Sequence, residues 1–400
     1  MKYENSLVFA TQQDAADPLK VYRELFYFPN MHNRDVVYFT GNSLGLQPKR
    51  TQDYILNELE DWATFGVEGQ LYARKPWNTY QEQFAQPVAK LVGAKTSEIA
   101  VLNQFAANLH LLLLSFYHPD KKRYKILCEA HPFSSNSQAL ESQVHFQDLN
   151  PAEVLISVAP RKGEHCIRQE DLLEEIEKNK DTLALVMIAG VNHFNGQAFD
   201  IETLAGAAHR AGAVAGFDLT HAAGNIELEL HNWQVDFACW DTGNYLNSGP
   251  GGISGTFIHE RHSKDPIVAR FFGLDNKSMR TAPILSLAAH KSAIDLFDEI
   301  GMSALIHKSQ KLTGYMEFII EELNNNGTHE LEIITPRGEK QRGCQLSIIA
   351  HNSGKELSNK LIQAGVIVDW LEPHVIRCAP VPMYNSFEDV YRFGEIINKI

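Results

Sequence analysis

The sequence has no apolar run long enough to cross a membrane; the stretch "LHLLLLSFY" falls far short of a span. Its first residues, "MKYENSLVFATQQ", lack the apolar core of a signal peptide. Positive charge is in deficit. Lys and Arg number 36 against 49 Asp and Glu, a net charge of −13, which argues against a nucleic-acid footprint. The acidity is dispersed and reads as a solubility feature. There is no internal repeat and no low-complexity linker. The five cysteines (Cys128, Cys166, Cys239, Cys344, Cys378) are odd in number and show no metal-type spacing. Cys128 and Cys239 lie in apolar strand-like runs, as buried free thiols do, which favours a reducing compartment. A soluble, cytoplasmic protein is expected.

What is present is globular. With 400 residues, 44% hydrophobic and 21% charged, the chain suffices for a large core plus a smaller second domain. Seven β-rich runs occupy the middle: "EIAVLNQ", "YKILCEA", "EVLISVA", "LALVMIAG", "AVAGFDL", "VDFACW" and "ISGTFIH". Helical patterns over 109–117, 137–147, 169–179 and 201–211 separate most of them. Apolar strands alternating with helices predict an α/β fold with a mainly parallel seven-stranded sheet between helices. The last run follows closely on its predecessor, which predicts an antiparallel edge strand. After about residue 285 the pattern changes to two long helical stretches, 286–300 and 304–324. Four short strand runs follow, then a closing helix with Ser386 as its N-cap. The division expected is an N-terminal segment over 1–35 packing on the small domain, a large α/β domain over 36–290, and a small α+β domain over 291–400.

Ligands in such sheets bind at the carboxyl ends of the parallel strands. Four strand ends stand out: "EAHPF", "GVNHFNG", "FDLTHAAGN" and "DFACWDTGNYLNSGPGG". Asp218 ends an apolar run, so its carboxylate needs a partner. With His221 three residues on, it reads either as a structural Asp–His contact or turn cap, or as a group facing a cationic ligand or metal. His131, His193, Asp241 and Asn244 lie at comparable ends. His131, Asp218, His221 and Asp241 form a candidate two-His, two-carboxylate metal set, though their spacing matches no metal motif. Arg377, amid apolar strand residues, requires an anionic partner if buried: an internal carboxylate or a ligand's. Trp77 and Phe133 suit either the core or a planar ligand.

These segments resemble the kynureninases. The resemblance rests on "YFTGNSLGLQPKR", "RKPW", "GFDLTHAAGNIELELHNWQVDFACW", "YLNSGPGGISGTFIHE" and "RCAPVPMYNSFEDVYRF", and runs in order from about Tyr38 to Phe393. It implies a pyridoxal-phosphate (PLP) enzyme of the aspartate-aminotransferase fold, PLP fold type I. Such an enzyme cleaves kynurenine or 3-hydroxykynurenine hydrolytically, as a homodimer with active sites at the interface. Carried over by position, Asp218 matches the aspartate on the pyridine nitrogen, where it keeps the ring an electron sink. His221 matches its neighbouring histidine, and Phe133 the stacking aromatic. Ser135 and Tyr245 fall among the cofactor contacts. Arg377 matches the arginine for the substrate carboxylate, and Asn42 with Ser43 the N-terminal loop near the pocket.

Other positions depart from the family. It reads C-S-Y-K-Y-L-N before the glycines; here Trp240 is followed by Asp241-Thr242-Gly243-Asn244. Asn244 stands at the Schiff-base lysine, and an amide nitrogen is no usable amine nucleophile. Gly243 replaces a phosphate-contacting tyrosine, Phe105-Ala106 a Leu-Thr pair at a phosphate-binding helix start, and Asn136 an aspartate. Between Ala269 and Pro283 a segment is missing, and Thr281 is the counterpart of a residue that reaches the partner's site. Covalent PLP is therefore not expected, while non-covalent PLP or its amine form, or a metal, remains open. The leading expectation is a repurposed enzyme acting on an amino-acid-like or aromatic carboxylate, with Asp218, His221, Asp241 and Asn244 at its centre. The alternatives are a non-catalytic ligand-binding or partner subunit, and a PLP hydrolase holding its cofactor without a bond. Lys75, Lys95 and Lys125 are the lysines nearest the relevant segments, and none lies in the anchor loop.

Overall fold

In the computed structural model, residues 2–31, 33–130, 135–264, 282–327, 330–351 and 353–400 are described. Seven strands build the central sheet: β1 (Ile99–Val101), β2 (Lys125–Glu129), β3 (Leu155–Val158), β4 (Leu183–Ala189), β5 (Val214–Asp218), β6 (Phe237–Asp241) and β7 (Ser254–Ile258). Their order is β1-β7-β6-β5-β4-β2-β3. Every expected strand run is a strand. β7 is antiparallel to both neighbours, β6 and β1. It is not the edge: β1 pairs along its outer side, and all five of its residues are buried. The edge expectation fails because β1 comes from a segment far earlier in the chain, a pairing that local sequence spacing does not reveal.

Both faces of the sheet are apolar, as strands covered on two sides must be. Ile126, Cys128, Leu185, Met187, Phe237 and Cys239 point to one face. There they meet Leu109, Leu112 and Leu113 of α4 (Phe105–Phe116) and Leu140 of α5 (Ser135–Phe146). Leu127, Val186, Ile188, Phe217, Ala238 and Trp240 point to the other. That face is covered by α3 (Glu82–Val92), α6 (Gln169–Lys178), α7 (Ile201–Arg210) and α8 (Ile284–Ile300).

A second core lies between α9 (Met302–Asn325), α10 (Gly354–Gln363), α11 (Phe387–Ile397) and an antiparallel sheet. That sheet is ordered β8-β9-β11-β10, from β8 (Leu331–Ile333), β9 (Leu346–Ala350), β10 (Asp369–Leu371) and β11 (Val375–Cys378). Ser386 caps α11 in a capping box with Asp389. The N-terminal helix α1 (Leu7–Ala16) contributes Phe9 and Ala10 to this core, and Asp14 accepts the Phe387 and Glu388 N–H groups. No described helix is long and apolar enough to cross a membrane.

Candidate active site

Parallel register sets the site. Ala189 pairs with Asp218, and Asp218 with Cys239, so the carboxyl ends of β4, β5 and β6 finish side by side. Turn chemistry then fixes each carboxylate. Asp218 Oδ1 accepts the Thr220 N–H at 2.8 Å. Thr220 Oγ1 accepts the Asp241 N–H at 3.2 Å, and Asp241 Oδ1 accepts the Gly243 N–H at 2.6 Å. Burial, against these turn bonds and with the charge of Asp218, raises the Asp241 carboxyl above its ordinary range. Glu129 at the end of β2 takes the Ala189 N–H with both oxygens at 3.1 Å. Burial and, less strongly, the Asp218 charge push it up to about 7. Sequence reasoning did not single out Glu129; its place at the end of an apolar run, like that of Asp218, was the available signal.

His221 lies with its ring 6.2 Å from those of both His193 and Tyr245. Burial, then the Arg377 and His193 charges, lowers it well below the ordinary histidine range, so its ring is neutral. Its Nδ1 is buried with no hydrogen-bond partner among the described residues. Tyr245 is buried, and its hydroxyl has no hydrogen-bond partner among the described residues.

Arg377 is 8% exposed and has partners on three elements. Its Nη1 donates to the His193 carbonyl at 2.9 Å. Its Nη2 donates to Ser43 Oγ at 3.2 Å and to the Asp369 carboxylate, which also accepts from Ser43. Asp369 is the cross-strand neighbour of Arg377. Arg377 thus has the internal carboxylate that a buried arginine requires; Asp369 was a second residue the sequence did not flag. The Arg377 Nε–H has no partner among the described residues.

The loop after β6 is fastened at both ends. Ser248 N–H bonds the Thr242 carbonyl at 3.0 Å, and Ser248 Oγ shares a 2.7 Å hydrogen bond with His290 Nδ1 on α8. The His290 ring stacks on Phe84 at 5.3 Å, and burial, then the Lys291 charge, lowers it to about 3. Within this loop the Asn244 side chain donates to the Asn42 carbonyl at 2.8 Å. The Gly45 N–H donates to the Gly243 carbonyl at 2.9 Å. Gly45 must be glycine, since a Cβ there would sit 2.2 Å from Asn247 Oδ1 and 2.5 Å from the Asn244 carbonyl. Asn42 is wholly buried, with neither side-chain polar atom partnered among the described residues.

His131, Phe133 and Thr281 lie outside the described residues, as does most of the 269–283 segment. Ser135 and Asn136 open α5, and their side chains are not described. Among the described residues Asp218, His221 and Asp241 do not gather as a metal-ligand cluster; the group that does is Glu98, His231 and His259. Those two rings stack at 4.9 Å and 13°. His231 bonds Glu98 at 2.9 Å. Trp77 donates to Glu58 at 2.9 Å and covers Gly69. Lys95 pairs with Glu260 at 2.6 Å, and Lys125 opens β2 at the end opposite Glu129.

Comparisons with known proteins bear on the family and the fold. The description "Kynureninase C-terminal domain" matches residues 305–397. The chain is 49% identical to a kynureninase of Flavobacterium johnsoniae, covering 100% of this chain and 99% of that one. It is 40% identical to a kynureninase of Rattus norvegicus, over 98% and 92%. Among solved structures it is similar to a cysteine desulfurase of Thermococcus onnurineus NA1. The TM-score is 0.73 at 19% identity, over 91% of this chain and 94% of that one. It is also similar to the cystine C-S lyase C-DES, at TM-score 0.75 and 14% identity over 93% and 99%. The fold is PLP fold type I, and with close to half its residues identical along its whole length, the chain belongs to the kynureninase family.

Proposed function

We propose that this chain uses the strand-end pocket to bind an amino-acid-like or aromatic carboxylate without anchoring a cofactor covalently, and acts there as an enzyme with chemistry other than ordinary kynureninase turnover. The observation that carries the proposal is Asn244, an amide engaged by the Asn42 carbonyl at the place where the resemblance puts an amine.

PLP is the group that the family implies, and its fit differs from residue to residue. Asp218 suits it, being a strand-end carboxylate able to face a ring nitrogen. The anchor loop does not, because Asn244 offers no amine and Gly243 no side chain. At the start of α4, Gln104 makes no side-chain cap bond and Phe105-Ala106 bring no hydroxyl. The covalently held group therefore does not fit these residues, and no step of the proposed chemistry passes through it. In its place Arg377 takes the ligand carboxylate through its unspent Nε–H. Neutral His221, Asp218 and the raised carboxyl of Asp241 hold and move protons.

The test is incubation with PLP, reduction with borohydride, and peptide mapping. No phosphopyridoxyl adduct is expected in residues 236–252 or elsewhere in the pocket; an adduct there would overturn the proposal. Kynurenine and anthranilate are expected to raise Tm in the wild type and not in Arg377→Ala.

One observation favours a second reading, a ligand-binding or partner subunit without turnover: Arg377 is already neutralised by Asp369. Saturable binding with no product after prolonged incubation would select it. A homodimer is proposed with either reading. Trp62, Val67, Leu71 and Tyr72 form a run of large apolar side chains 57–82% exposed, and such runs mark protein contacts. Light scattering is expected to give the mass of two chains.

A further inference from the structure

We propose that Asp369 is a specificity-determining residue: its carboxylate competes with a ligand's carboxylate for Arg377 and so sets how strongly the pocket prefers acids over their neutral amides. The inference rests on the reading of Arg377 as the carboxylate-binding residue.

Three features carry it. First, Asp369 faces Arg377 directly across the β10–β11 pairing and accepts from its Nη2, so backbone register imposes the contact. Second, Ser43 bridges the two, donating to Asp369 and accepting from Arg377, which ties the two groups together. Third, the guanidinium is not exhausted: Nε–H is buried and has no partner among the described residues. A buried donor left unpaired is costly, and a ligand oxygen satisfies it. An incoming carboxylate at Nε–H gains a hydrogen bond from Arg377 while lying within a few ångströms of Asp369. At such comparable separations repulsion from Asp369 offsets much of the attraction to Arg377. The pair thus presents a donor with little net charge, which accepts a carboxylate and its amide almost alike.

Asp369→Asn keeps an oxygen for Nη2 and removes only the charge. The probes are L-kynurenine and L-kynurenine amide, measured by calorimetry on the full-length protein. The amide side chain preserves the shape of the carboxylate and its contacts with Ser43 and Arg377. The variant is therefore expected to fold and to bind L-kynurenine about tenfold more tightly, with binding of the amide unchanged. Unchanged or weaker binding of the acid in a folded Asp369→Asn protein overturns the proposal, since a pair that merely positions Arg377 gives that result. The wild type supplies a second measurement independent of the variant. Its acid-over-amide preference is expected to be under about tenfold, and a preference of about a hundredfold or more overturns the inference. Arg377→Ala separates the two readings. If it binds L-kynurenine as well as the wild type does, the assignment of Arg377 itself has failed; if it loses binding while Asp369→Asn shows no gain, only the role of Asp369 has.

Discussion

The Asn244 side chain donates to the Asn42 carbonyl at 2.8 Å, joining the loop after β6 to the loop that carries Ser43. The Gly45–Gly243 backbone bond runs alongside it. At the position where the resemblance places the reactive amine, this chain has a clasp between two loops. Asn244→Ala is expected to cost about 1 kcal/mol, the net value of one such hydrogen bond. Hydrogen exchange is expected to quicken at the Ser43 and Leu44 amides, and denaturant melts with exchange mass spectrometry check both.

The same seam has no room for a side chain at Gly45. Gly45→Ala drives a methyl into Asn247 Oδ1 and the Asn244 carbonyl. A cost of about 2 kcal/mol is expected from overpacking, together with loss of ligand-induced Tm shifts. A neutral Gly45→Ala would show that the loops separate readily.

Glu129 offers a pH test. Its carboxyl is raised to about 7 in the folded chain from an ordinary 4.5. The folded state therefore holds the proton more tightly, and the stability this contributes is full below 4.5 and lost as pH rises to 7. Glu129→Gln never ionises. It is expected to match the wild type near about pH 4 and to exceed it by about 3 kcal/mol above about pH 7. Urea melts across that range give the curve.

Asp236 has the opposite sign. Burial works against its charge, but hydrogen bonds from His209, His262 and the Ala215 N–H, with the Arg261 charge, hold it far below the ordinary carboxylate range. Its stability contribution is present above 3.8 and fades as pH falls below that. Asp236→Asn is expected to cost about 3 kcal/mol near neutral pH, as breaking a buried ionic cluster does, and progressively less as the medium is made acidic. Denaturant melts at neutral and acidic pH check the trend.

How much of this was legible in the sequence differs by residue. The strands were readable because both faces of the sheet are apolar, which leaves uninterrupted runs such as "LALVMIAG". The Ser386 cap was readable because capping is local. The interior place of β7 was not, since it depends on pairing with a strand far away in the chain. Asp218, Asp241 and Arg377 could be flagged as polar residues closing or interrupting apolar runs. What they bond could not: only the β10–β11 register makes Asp369 and Arg377 neighbours. The resemblance supplied the position of Asn244, and only the fold supplied its partner, the Asn42 carbonyl.

β7 running antiparallel beside β6 has one more consequence. The segment over 242–253 leaves and re-enters the sheet on adjacent strands, with Asp241 and Ser254 facing each other as a register pair. Its two ends are thus held together by the ladder, in addition to the bonds that the residues between them make. Such a segment is a cartridge: its residues can be exchanged while the sheet that receives it stays as it was. A chain can therefore keep close to half its identity with its relatives and still differ in the few side chains that would decide its chemistry.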